Sequence, residues 1–397
     1  MTIRSQLAPP ERTALRLGFL RLSDSAPLIM ARELGLYQKY GLQVDLLREV
    51  SWANVRDKLV SGDLDAAHML APLPLATALG AGGMRADMIT ALVLSLNGNA
   101  ITVSPGLALE IAGRGGDPLQ SARSTATALG RYLRETTPQP ELTFATVHPF
   151  SCHTFQLRLW LQAGGIAPER DVRIIVLPPE QMVDSLARGI IDGYCVGEPW
   201  NSVAVQYGVG AVQVTGHQVW NNAIEKVLGV TAQWHKLHPG THLRLRLALM
   251  EACTWLAHPA NRVDTARILA QPEYLDMPRD QLLPSLTGQL QFVKGQPARE
   301  LPEFHVFGRY QAGFPWRSHG EWLLQQTGAV LGKTLAPERI KALVQQTFRT
   351  DLYREAARYL DLPCPSGDYK PVNRHNSAWE LEPGIELGPD MMLEEWL

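Results

Sequence analysis

The 397-residue sequence contains no run of about 18 uncharged apolar residues, which argues against a membrane-spanning helix. It has only four cysteines, Cys152, Cys195, Cys253 and Cys364, and no two of them stand in C-x-x-C spacing. That removes the signals for a zinc site, a redox pair and a disulfide scaffold. Basic residues are not in excess: 37 Lys and Arg stand against 39 Asp and Glu, for a net charge of −2. A dedicated nucleic-acid surface would normally show as a basic domain. Neither a G-x-x-x-x-G-K-[ST] loop nor a G-x-G-x-x-G fingerprint occurs, so nucleotide chemistry has no support. The 33 glycines and 28 prolines follow no period, which excludes a collagen-like chain. At 45% hydrophobic and 19% charged residues, a sizeable core is affordable, and the length suits two or three domains at roughly 150 residues each.

Several arginines (Arg4, Arg12, Arg16 and Arg21) stand near the N-terminus, but Pro9-Pro10-Glu11 falls where an export signal would need its apolar stretch. The expectation is a cytoplasmic chain. From residue 15, short apolar runs alternate with amphipathic stretches. The pattern predicts a strand over Leu15–Leu22, a helix over Ala26–Tyr40, a strand around Leu42, Val44 and Leu46, and a helix over Asn54–Val60 that stops at Gly62. Strands over Asp65–Leu70 and Ile89–Leu94 follow. Strands separated by helices imply a parallel α/β sheet. Leu59-x-x-Gly62-x-x-Asp65-Ala66 is echoed by Leu186-x-x-Gly189-x-x-Asp192-Gly193, each followed by a Pro-initiated segment at Pro72 and Pro199. The two copies read as a glycine-terminated helix and an acidic residue opening a strand. They suggest two similar lobes, and a crevice between lobes is a usual place for a small ligand. Helices are predicted over His242–Ala257, Asp264–Ala270, Glu321–Gly328 and Glu338–Ala357. The segment His375–Leu397 carries six acids and no Lys or Arg, yet holds Trp379, Met391, Met392 and Trp396. It reads as a strap packed on the protein or on a partner.

The motifs in order are Gly18-Phe-Leu-Arg-Leu-Ser-Asp-Ser-Ala-Pro-Leu, Ala31-Arg-Glu-Leu-Gly-Leu-Tyr-Gln-Lys-Tyr-Gly-Leu and Ser51-Trp-Ala-Asn-Val-Arg-Asp. Asn97-Gly98-Asn99, Thr146-Val-His148-Pro-Phe, Ala163-Gly-Gly-Ile, Pro178-Pro179 and Gly197-Glu-Pro-Trp200 follow. From about residue 15 to about 365 this series resembles the nitrate- and bicarbonate-binding proteins of ABC uptake systems (NrtA/CmpA-like), and most of all the cytoplasmic nitrate/nitrite sensors of the NasS type. The resemblance implies an α/β fold of the periplasmic-binding-protein type II class, its two lobes joined by two crossover strands near Thr102–Pro105 and Lys226–Thr231. Lobe 1 would comprise residues 15–104 and 227–374 and lobe 2 residues 105–226, with an extension at 1–14 and the strap at 375–397. It also implies a non-enzymatic sensor that holds a NasT-like, ANTAR-type antiterminator until nitrate or nitrite binds, with no cofactor, no metal and no direct nucleic-acid contact. The alternative is the substrate-binding component of an ABC transporter for nitrate, bicarbonate or cyanate.

Carried over residue by residue, the resemblance places the anion on Trp52, Asn97, His148 and Lys226, with Gly98 and Glu198 behind them. The chemistry suits a planar anion with three acceptor oxygens. The Trp52 indole is a donor only, the Asn97 amide donates without charge, and His148 donates through a ring N–H. Lys226 supplies the countercharge, and favours a metal-free monovalent anion over the acid-and-metal arrangement of bicarbonate relatives. A one-residue shift in the alignment would put Glu225 there instead. Taken singly, each residue also has an ordinary structural explanation: Trp52 as a packing aromatic after the N-cap Ser51, and Asn97-Gly98 as a turn. Enzyme readings find only fragments. Cys152 and His153 are adjacent, so they diverge on a helix. Pro149 places His148 outside it, and His235-x-x-His238 has no carboxylate partner at ligand spacing. A pyridoxal-phosphate enzyme of the thiamine-pyrimidine-synthase kind resembles the chain at the level of the lobes alone.

Overall fold

The computed structural model of the chain describes residues 7–393; Arg4 and Trp396 lie outside the described residues. Two compact units emerge. Of the described residues, unit 1 comprises 7–96, 224–261 and 306–388, and unit 2 comprises 97–223, 262–305 and 389–393.

In unit 1, β1 (Ala14–Phe19), β2 (Gln43–Arg48), β3 (Ala66–Leu70) and β4 (Met88–Asn97) come first in the chain. Unit 2 contributes β5 (Asn99–Val103), β6 (Thr143–Thr146), β7 (Arg173–Val176), β8 (Gly193–Gly197) and β9 (Ala211–Thr215). The chain then enters unit 1 through β10 (Ile224–Thr231). Short strands follow as β11 (Gln289–Leu290), β12 (Arg299–Glu300), β13 (His305–Val306), β14 (Trp379–Glu382) and β15 (Ile385–Leu387). The six-stranded sheet has the order β13-β4-β10-β3-β1-β2, and the five-stranded sheet the order β7-β6-β8-β5-β9. Read from the β2 and β7 edges, the two sheets repeat one plan. Three strands run parallel, then comes an antiparallel strand that arrives from the other unit: β10 in unit 1, β5 in unit 2.

The internal repeat is physical. Gly62 and Gly189 both end helical turns with left-handed φ values of 83° and 67°, and each donates its N–H to the leucine three residues before it. Asp65 then accepts from the Arg16 N–H at 2.8 Å, as Asp192 accepts from the Thr143 N–H at 2.7 Å. Each aspartate also donates its own N–H to that same residue's carbonyl. One acidic side chain in each unit thus locks a parallel pair, β1 with β3 and β6 with β8.

Two predicted helices are shorter than expected. Ala26–Tyr40 splits into Ala26–Glu33 and Leu36–Lys39 because Gly35 takes a φ of 68°. Glu338–Ala357 splits into Pro337–Thr347 and Thr350–Tyr359, since buried Phe348 bridges Thr90 and the Arg349 N–H is drawn to the Thr90 carbonyl at 2.8 Å. The partition also differs from the expected boundaries. Residues 262–305 cluster with unit 2, because Leu290, Phe292 and Phe304 share a core with Ala100, Val205 and Val212. The first crossing falls at Leu96–Asn97, ahead of Thr102. The C-terminal segment packs on the protein: β14 and β15 form a hairpin, and beyond it Met392 bridges Trp220, whose indole N–H donates to Asp390 at 2.8 Å.

Candidate functional site

Unit 1 gathers a buried ionic cluster at the end of its central strands. Asp24 sits in the 3-10 turn Ser23–Ser25 that follows β1. Trp52 opens the helix Trp52–Ser61, capped by the Ser51 hydroxyl accepting from the Asn54 N–H at 3.2 Å. His68 lies on β3, and Glu225 and Lys226 are consecutive on β10. In a regular strand, neighbouring side chains leave on opposite faces. Here the register of β10 against β4 shifts on both sides of Lys226, and such an irregularity lets both side chains enter one cluster. Lys226 Nζ lies 2.6 Å from Glu225 Oε1 and 2.7 Å from Asp24 Oδ2. His68 Nε2 lies 2.9 Å from Asp24 Oδ1. The Trp52 ring centroid is 5.5 Å from Lys226 Nζ and 5.5 Å from the His68 ring.

All five residues are buried. Burial alone would lower the Lys226 pKa, but Asp24 and Glu225 outweigh it and hold the ammonium well above its ordinary value. Burial depresses the pKa of His68, with Asp24 opposing. The Trp52 indole N–H makes no hydrogen bond among the described residues, an expensive condition for a buried donor.

Unit 2 holds the other expected residues. Asn97 takes a left-handed φ of 58°; its Oδ1 accepts from the Ala223 N–H at 3.0 Å and its Nδ2 donates to the Glu303 carbonyl at 2.8 Å. Its carboxamide therefore splices two main-chain segments. Gly98 has a φ of 82°, and a Cβ there would stand 2.8 Å from His305 Nε2. The His148 Nδ1 accepts from the Phe150 N–H at 3.1 Å. With Nδ1 accepting, the ring proton of the neutral tautomer sits on Nε2. The His148 carbonyl accepts from the Ser151 and Thr154 hydroxyls, tying the loop to the helix Cys152–Ala163. Glu198 donates its N–H to the Gly98 carbonyl at 2.9 Å. Its Oε2 accepts from the Ser202 N–H at 3.2 Å, in the first turn of the helix Trp200–Tyr207. Burial pushes its pKa up to about 7, against the opposing bonds from Ser202 and Asn201.

Of the expected residues, Trp52 and Lys226 come together in unit 1, and Gly98 and Glu198 in unit 2. Asp24 and His68 were not singled out as site residues, although Asp24 lies inside the first motif; Glu225 entered only as the residue a one-position shift would bring to the place of Lys226. In unit 2 a Cβ on Gly216 would stand 2.0 Å from Asn99 Oδ1 and 2.9 Å from Gln156 Oε1. Gln156 is buried and neither atom of its amide is hydrogen-bonded among the described residues. No sequence signal marked it. His235 and His238 are not a ligand pair: His238 Nδ1 faces the Trp234 carbonyl, and His235 Nδ1 lies 3.0 Å from His242 Nδ1. Among the described residues no group of three or more His, Cys, Asp or Glu is placed to hold a metal ion.

A family model described as the NMT1-like family matches residues 8–270. The chain belongs to the NMT1-like family. Within it, the chain is 39% identical over 365 residues to the nitrate import ATP-binding protein NrtC of Synechocystis sp. (strain ATCC 27184 / PCC 6803 / Kazusa), covering 91% of this chain and 52% of that protein. It spans about half the length of that relative. To the nitrate/nitrite binding protein NrtA of the same strain it is 34% identical over 391 residues, covering 96% of this chain and 83% of that protein. The crystal structure of the periplasmic nitrate-binding protein NrtA from Synechocystis PCC 6803 superposes with a TM-score of 0.84 at 31% identity, covering 96% and 97% of the two chains. This NMT1-like chain is thus NrtA-like and has the type II periplasmic-binding-protein fold.

Proposed function

We propose that this chain binds nitrate, and nitrite through the same donors, without catalysis and without a cofactor, as the substrate-binding component of an ABC-type importer. The observation that carries the reading is its match to a nitrate/nitrite binding protein over 96% of this chain and 83% of that protein. The residues give it chemical sense. Trp52 presents a donor-only N–H with no partner among the described residues, a group suited to an anion that has acceptors alone. In unit 2 the neutral His148 ring carries its proton on Nε2, and in unit 1 Lys226 brings an ammonium within reach of the indole ring. The Asn97 amide holds the Gly98 turn and keeps one hydrogen to offer. The importer setting is supported by the likeness to the nitrate import protein NrtC.

Isothermal titration with nitrate, nitrite, bicarbonate and chloride, in chloride-free buffer with and without calcium, tests the reading. Micromolar nitrate binding without calcium is the expected result. Bicarbonate binding that requires calcium would move the ligand assignment to the bicarbonate branch, and the absence of binding to any of the anions would overturn it. The cytoplasmic sensor expected from the motif resemblance would show instead as an anion-sensitive complex with a NasT-like antiterminator in a pull-down.

A further inference from the structure

The cluster around Lys226 has a charge problem that the anion reading sharpens. One ammonium faces two carboxylates, Glu225 at 2.6 Å and Asp24 at 2.7 Å, and all three groups are buried. With His68 neutral these three charges sum to −1. An anion seated on the Trp52 indole would raise that to −2 in a medium that screens poorly, where unbalanced charge is expensive. Lys226 alone is therefore not the countercharge.

We propose that His68 takes up one proton when the anion binds, and that the resulting imidazolium supplies the positive charge the site needs. The geometry suits the role. His68 Nε2 lies 2.9 Å from Asp24 Oδ1, ion-pair distance for an imidazolium, and neither ring nitrogen makes a hydrogen bond among the described residues. The Nδ1 atom is buried and makes no hydrogen bond among the described residues. Protonation turns it into a second donor beside the Trp52 ring, 5.5 Å away. The proton comes from the buffer, and Nδ1 of the ring is where it ends. The charged groups acting on His68 are Asp24 from the turn after β1 and Glu225 and Lys226 from β10; the helix bearing Trp52 presents its ring alone. Burial keeps the empty-state ring neutral at neutral pH. The anion adds the negative charge that tips it.

This inference rests on the nitrate reading and has a separate readout. Nitrate titrations at pH 8 in buffers of different ionisation enthalpy should show uptake of about one proton per anion, with affinity weakening about tenfold per pH unit through that range. His68→Gln should bind more weakly and take up no proton. Glu225→Gln removes one carboxylate, so it should bind nitrate more tightly than the parent at pH 8 and with much less proton uptake. Equal heats in all buffers would overturn the role of His68 and leave nitrate binding standing. Proton uptake that persists in His68→Gln would also overturn it. Failure of the parent protein to bind nitrate would remove both readings together.

Discussion

At the scale of single residues, Trp52 and Lys226 make opposite demands on the fold. Trp52 fills its place with an indole whose N–H is unanswered among the described residues. Trp52→Phe keeps most of the ring and deletes only that donor. Its unfolding free energy should stay within about 1–2 kcal/mol of the parent, while nitrate affinity falls roughly ten- to hundredfold, the worth of a hydrogen bond to a charged group. Equal losses in both measurements would mean the indole is packing and nothing more. Lys226 is tied into the core by two carboxylates, so its replacement cannot be read as a binding change alone. Lys226→Met strands two buried carboxylates and should cost about 3–5 kcal/mol in denaturant unfolding, part of it recovered in the double variant with Glu225→Gln. Lys226→Glu would place a third carboxylate in the cluster and destabilise the unit. That coupling was not legible in the sequence. The register shifts of β10 make neighbours of Glu225 and Lys226, two side chains that alternation would separate.

At the scale of elements, the sequence was most readable where a local rule has a local cause. Gly62 and Gly189 end their turns for the same steric reason, and Asp65 and Asp192 open their strands through the same bonds. It was least readable where a distant residue decides. Nothing within 338–357 announces that Phe348 will leave the helix to bridge Thr90. The long helix Pro239–Ala257 shows the same reach: its first turn is capped from far away in the chain. Glu11 accepts from the Gly240 N–H at 3.0 Å and from the Thr241 N–H at 2.8 Å. Burial pulls its pKa up, but these donors win and hold it at about 2, against 4.5 for a free glutamate. The folded state therefore favours the carboxylate. Its contribution is full above pH 4.5 and is lost as pH falls through about 2. Because Glu11 is exposed, Glu11→Gln should cost only about 1 kcal/mol at pH 7. The gap between variant and parent should close in acid-unfolding curves as the pH approaches 2. A gap constant with pH would mean the cap acts through shape and not charge.

At the scale of the whole molecule, the α/β class and the alternation of strands and helices were legible, and the membership of each piece was not. The segment 262–305 has no periodicity that says which core it will join; Phe292 and Phe304 join it to Val212 and Ala100. The strap was visible as an acidic segment with too many large apolar groups, and its seat is Trp220, fully buried beneath Met392, with the Asn222 amide donating to the Pro389 carbonyl at 2.8 Å. Truncation after Gly388 would uncover Trp220 and remove the burial of Met392 and Leu393. It should cost roughly 3 kcal/mol, the order for two large apolar side chains, read as a lower Tm. An unchanged Tm would mean the strap is an ornament of the surface.

The path of β10 also bears on how the chain is made. A polypeptide leaves the ribosome N-terminus first, and domains commonly fold in that order. Here β1 to β4 emerge early, but β4 cannot join β3 until β10 is laid between them, at residues 224–231. By then every strand of the other sheet, ending at Thr215, has been synthesised. During synthesis the half of the protein that is begun first must wait with two open strand edges for the half that is begun second.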